Sequence, residues 1–185
     1  MMRKSRRLII LGLLVTAVMS AILLGTVSAE EPPTTDAQIS RIRTNCSAVK
    51  NTLTQLHVND ALLRVNRGQL YESIATKLMS SFNSRVSGNS LDASGLVIIT
   101  SSYNNTLNTF RTDYQAYEIQ LSAALRIDCT KEPVAFYDSV AAARTKRTHV
   151  HNDVLALNQS IYDYQGAFTT FATNFTISTG GGSSQ

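Results

Sequence analysis

The sequence predicts an all-α protein: an up-down-up antiparallel three-helix bundle of long, coiled-coil-like helices after an N-terminal signal or anchor segment. Three observations lead there. Apolar residues recur at alternating steps of three and four over three long stretches. Short polar junctions, "SGNS" (Ser87 to Ser90) and "IDCTKEP" (Ile127 to Pro133), separate those stretches. No period-two pattern competes, since the one β-like run, "LVII" (Leu96 to Ile99), lies within the second helical pattern.

The N terminus reads as an export signal. Arg3, Lys4, Arg6 and Arg7 form a positive region, and Leu8 to Leu24 form an uncharged apolar run. Val27 and Ala29 occupy the small-residue positions before a cleavage after Ala29. The run is long for a signal peptide and short for a spanning helix, so an uncleaved membrane anchor stands as the alternative. No cysteine follows the run closely, and a lipoprotein-type anchor is not supported. The whole chain carries 17 basic and 13 acidic residues, net +4. Four of the basic residues and none of the acidic ones fall in residues 1–29, so the remainder is balanced. That excludes the electrostatic footprint of a nucleic-acid binder or of a protein adsorbing to anionic lipid.

The polar leader, residues 30–34, contains two prolines that disfavour helix. Thr35 or Asp36 then serves as N-cap of a first helix over about residues 35–86. Its seam reads Ile39, Ile42, Cys46, Val49, Leu53, Leu56, Asp60, Leu63, Arg67, Leu70 and Ile74. Asn59-Asp60 and Gly68 are points where this helix can break, and the glycine of "SGNS" ends it. The second helix covers about residues 91–128, starting at Leu91 or Asp92. Its seam is Leu96, Tyr103, Leu107, Phe110, Tyr114, Tyr117, Leu121 and Ala124. The third covers about residues 131–176, with Thr130 as N-cap and Pro133 in the first turn, where a missing N–H costs nothing. Its seam runs Phe136, Val140, Ala143, Arg147, Val150, Val154, Leu157, Ile161, Tyr164, Phe168, Phe171 and Phe175. Residues 177–185, "ISTGGGSSQ", read as a flexible Gly/Ser tail.

Antiparallel packing fixes which residues share a height. With the first hairpin turning at about residues 86–91, Cys46 and Cys129 lie within about two residues of one level, roughly 3 Å along the axis. In an exported chain this favours a disulfide over two free buried thiols. The same register sets Asp60 between Arg144 and Arg147, and Arg67 beside Asp153. Cross-helix ion pairs of Asp60 with Arg144 or Arg147, and of Arg67 with Asp153, follow; the alternative is that these side chains snorkel out of the seam.

Motifs for chemistry are sparse. "SAVK" (Ser47 to Lys50) matches the S-x-x-K of serine β-lactamases, and "SGN" (Ser87 to Asn89) resembles their second element. The K-T-G element and the required sheet are missing, so these are chance matches in a serine-rich chain. His149 and His151 are two apart on a helix and do not face each other, and His57 stands about two turns away in height. All three read as solvated, and no metal set or nucleophile constellation emerges. Phe168, Phe171 and Phe175 have core spacing, although the last turns overhang the bundle and can expose an aromatic end. The four N-x-S/T sequons, at Asn45, Asn104, Asn158 and Asn174, are near the number expected by chance among twelve asparagines.

"VNRGQLYESIATKL" (Val65 to Leu78), "DYQAYE" (Asp113 to Glu118) and "IDCTKEPVAFYDSVAAARTKR" (Ile127 to Arg147) resemble segments of uncharacterised exported helical proteins of small-genome candidate-phylum bacteria. The resemblance implies a bacterial source and carries over no site residue. The expected function is therefore that of a non-enzymatic helical-bundle protein, secreted or tethered to the outer face of the cytoplasmic membrane. It would act by contact with an unidentified protein of the envelope or of another cell, with no nucleic acid and no cofactor; homo-oligomers are compatible with the seams. The alternative is a small-molecule or cofactor binder, which requires a cavity near Asp60, Arg67 and Arg147.

Overall fold

The computed structural model describes residues 35–180. The signal or anchor expected at residues 1–29, the leader at residues 30–34 and the last five residues of the tail lie outside the described residues. Everything described is helix or short turn. The first rod comprises α1 (Asp36–Ser73), a π-helical segment (Ile74–Ser80) and α2 (Ser81–Gly88), followed by α3 (Ser94–Arg126) and α4 (Pro133–Gly180). None of these helices is long and apolar enough to cross a membrane.

The first rod and α3 are antiparallel, since Cys46 meets Cys129, Asp60 meets Tyr117 and Tyr71 meets Tyr103. α4 runs back parallel to the first rod, with Asp60 against Arg147 and Asn83 against Tyr164. The bundle is therefore the expected up-down-up form, and α3 with α4 is its closest-packed pair.

The helix ends follow from local hydrogen bonding. Thr35 caps α1 in a capping box: its Oγ1 accepts from the Gln38 N–H at 3.3 Å, and Gln38 Oε1 accepts from the Thr35 N–H at 2.7 Å. α2 ends differently from expectation. Gly88 keeps negative φ, and Ser90 takes the left-handed position at φ 58°. The Leu91 N–H reaches the Val86 carbonyl at 3.1 Å and the Ser90 N–H reaches Ser87 at 3.0 Å, which is a Schellman closure with serine where glycine is usual. α3 starts at Ser94, two to three residues later than expected, because Asp92 Oδ1 accepts from the Ser94 N–H at 2.9 Å.

The second junction is organised by Asp128, and Thr130 does not cap α4. Asp128 Oδ1 accepts from the Thr130 N–H at 3.0 Å, the Thr130 hydroxyl at 2.6 Å and the Lys131 N–H at 3.3 Å. These bonds, led by the Thr130 hydroxyl, hold the Asp128 carboxyl down at about 2. α4 then starts on Pro133 and continues to Gly180, four residues into the stretch expected as tail.

Burial separates the seams. Every expected seam residue of α3 is buried, with Thr100 added. α1 is not broken at Asn59, yet Cys46, Asp60 and Tyr71 are its only buried residues. The expected seam fails at Leu63, Arg67 and Leu70, which are exposed. Burial resumes at Tyr71, Ala75, Met79 and Asn83, spaced by four. That spacing exceeds the 3.6 residues of an α-turn, and the wider π-helical segment accommodates it. Ser81 Oγ fills the freed geometry by donating to the Thr76 carbonyl at 2.9 Å. The stretch between Asp60 and Tyr71 consequently stands off from α3 and α4.

Cys46 and Cys129 form a disulfide with Cα atoms 5.6 Å apart, packed with Phe136 in a small core at that end. The main core, built on Met79, Tyr103, Leu107 and Leu157, lies toward the opposite end. A buried polar chain crosses it. The Tyr164 hydroxyl donates to Asn83 Oδ1 at 2.8 Å, and Asn83 Nδ2 donates to the Thr100 hydroxyl at 2.8 Å, linking α4, α2 and α3.

A candidate binding cleft between the three helices

Where α1 stands off, a solvent-open cleft of about 520 Å³ lies between it, α3 and α4. α3 supplies the inner surface with Phe110, Tyr114 and Tyr117, three successive residues of its buried seam. α1 supplies Asp60, Leu63, Arg64 and Arg67, and α4 supplies Arg144, Arg147, Thr148, Val150, His151 and Val154. Leu63 is left facing this space by the lost seam contact.

Asp60 is the polar anchor. It is 9% exposed. Its Oδ2 accepts from the Tyr117 hydroxyl at 2.7 Å and from Arg147 Nε at 3.0 Å, while Oδ1 accepts from a terminal Arg147 nitrogen at 3.3 Å. The two-pronged arrangement suits a guanidinium and a carboxylate. Burial first, and then the Asp60 carboxylate, push the Tyr117 phenol well above its ordinary value. The hydrogen bonds that Arg147 donates to Asp60 likewise raise the guanidinium. Of the two partners expected for Asp60, Arg147 makes the pair, and Arg144 lines the cleft.

A second chain of contacts holds Tyr114. The Arg64 guanidinium sits 5.0 Å from its ring centroid, a cation–π arrangement. The Tyr114 hydroxyl donates to Glu118 Oε2 at 3.2 Å, and Glu118 Oε1 pairs with His57 Nε2. Burial, followed by Glu118, pushes the Tyr114 phenol up to about 12. His57 is thus a half-buried partner of Glu118, contrary to the solvated position expected for it. His149 and His151 are exposed.

The expected pair of Arg67 with Asp153 does not form. Arg67 is turned outward by the stand-off of α1 and lines the cleft, without an ion pair among the described residues. Asp153 instead faces Asp113 of α3, and its Oδ2 is enclosed with no hydrogen-bond partner. Desolvation, and next the Asp113 charge, raise the Asp153 carboxyl above its ordinary range.

The remaining motifs have structural roles. Lys50 of "SAVK" donates to the Ile127 carbonyl at 3.0 Å and so caps the end of α3 from α1. Phe168 and Phe171 both pack against Phe82, with centroids 5.1 and 5.8 Å away, and Phe168 and Phe175 remain 41% and 44% exposed, an open aromatic end as anticipated. Among the described residues no group of three His, Cys, Asp or Glu side chains is placed to hold a metal ion. The cleft and the Glu118 contacts are not readable from the seams. Their one sequence signal is a pair of R-x-x-R steps, "RVNR" (Arg64 to Arg67) and "RTKR" (Arg144 to Arg147), on helices that run parallel.

No protein-family model, curated protein or solved structure matches this chain.

Proposed function

We propose that the chain is a non-enzymatic binding protein that works outside the cytoplasm and holds a small molecule in the cleft between α1, α3 and α4. The observation that carries this is the cleft itself. It sits where the expected seam was to close over Asp60, Arg67 and Arg147, and its size falls within the range of small-molecule sites, roughly 300–1,000 Å³. Work outside the cytoplasm draws support from the signal-like N terminus and from the disulfide, which persists in oxidising compartments. The resemblance to exported helical proteins of candidate-phylum bacteria agrees with that placement. A thermal-shift screen of small organic molecules tests the reading, with Thr148→Trp as a variant that fills the cleft. Hits should stabilise the natural chain and lose their effect in the variant. If no compound stabilises the natural chain, or hits act equally on both, the reading fails.

A second reading, contact with another protein, rests on a separate observation. Val58, Leu62 and Val65 are spaced by four and three on α1 and are 54%, 61% and 51% exposed. Cross-linking on intact cells, compared between the natural chain and Leu62→Asp, tests it.

A further inference from the structure

We infer that the cleft takes a small organic anion, with a carboxylate- or phosphate-type head held by Arg67 and Arg144 and an apolar body against Leu63 and Val154. The inference rests on the small-molecule reading and specifies its ligand. Four arginines line this one space against a single carboxylate, Asp60. That carboxylate is already committed to Arg147 and Tyr117. Arg64 is committed to the Tyr114 ring. Arg67 and Arg144 remain, exposed and without an ion pair among the described residues, on opposite walls. In a chain whose charge is otherwise balanced, such a local excess of guanidinium favours an anion with oxygens that accept paired N–H donors. A cation is disfavoured there. A neutral polyol is poorly matched too, because no Asn or Gln lines the cleft. The apolar portion follows from Leu63, Val150 and Val154, which leave uncovered hydrocarbon beside the charged groups.

The test uses two fluorescent probes with the same ring system on residues 30–185 with the disulfide intact. 8-Anilinonaphthalene-1-sulfonate carries an anionic head, and N-phenyl-1-naphthylamine does not. The anion should bind saturably at one site, at least about tenfold tighter than the neutral probe. The Arg67→Gln/Arg144→Gln double variant should erase that preference, with the helical melting curve retained because neither side chain makes an ion pair among the described residues. 1-Naphthoate and 1-naphthyl phosphate should compete, and which of them competes better distinguishes a carboxylate from a phosphate head. Equal binding of both probes, no effect of the double variant, or no displacement by either competitor overturns the inference while leaving the cleft a binding site. No saturable binding of either probe overturns the small-molecule reading as well.

Discussion

The Tyr117 hydroxyl donates to Asp60 Oδ2 at 2.7 Å, joining α3 to the last buried residue of α1 before that helix leaves the bundle. Asp60→Ala removes the acceptor and leaves a buried phenol unpaired, which should cost about 1–3 kcal/mol. Asp60→Asn still accepts from Tyr117 and should cost less. Arg147→Ala should cost about 1 kcal/mol or less, because that side chain is half exposed. Urea denaturation measures all three, and an Asn variant as unstable as the Ala variant would contradict the assignment.

Asp153 should carry a pH signature. Its carboxyl is raised in the folded protein, so the fold binds that proton more tightly than the unfolded chain does. The stabilisation is complete below the ordinary carboxylate range and is lost as pH rises through the folded value. At about pH 7 the ionised group is a burden. Asp153→Asn should therefore raise stability at about pH 7, by at most ~1 kcal/mol because Asp153 and Asp113 are only partly buried, with little gain at about pH 3. The same gain at both values would exclude the Asp113 contact as the cause.

Ser90 occupies a left-handed conformation that costs an L-residue roughly 1–2 kcal/mol. Ser90→Gly should recover about 0.5–1 kcal/mol of this once the freer unfolded chain is counted. Thermal melts of the two proteins check the sign. A loss of stability would mean that the Schellman closure depends on the serine.

Reducing the Cys46–Cys129 bond opens a loop whose ends are 83 positions apart. In the chain-entropy model this should lower stability by about 4–5 kcal/mol. Melting curves with and without reductant read the effect directly, and coincident curves would show that the packing around Phe136 alone holds that end.

The three helices and the level of the two cysteines were legible because they depend on period and length, which sequence displays. α3 is the clearest example, since each seam position from Leu96 to Ala124 is buried. The middle of α1 was not legible. Leu63 and Leu70 continue the heptad in sequence, but the spacing by four from Tyr71 to Asn83 requires a different phase, and packing with α3 and α4 decides between the two. The heptad register therefore sets Arg67 beside Asp153, whereas the residue belongs to the cleft wall. Thr130 has the residue type of a cap, but its hydroxyl is tied to Asp128, whose carboxylate reaches three donors of the turn that precedes α4.

The π-helical segment has a consequence for tolerance to deletion. It adds slack to the rod, one residue more than an α-helix would use over the same rise. Deleting Leu78, an exposed residue within it, would let α1 and α2 join as one regular helix. The turns on either side would keep their phase and height, because the deleted residue is the one that the wider segment absorbs. Cys46 would still meet Cys129, and Asp60 would still meet Tyr117, about nine and five turns from the edit. The bulge thus works like a take-up loop in a cable: it stores one residue without moving the contacts on either side, whereas the same deletion in regular helix would turn everything upstream by about 100° and shift it by ~1.5 Å.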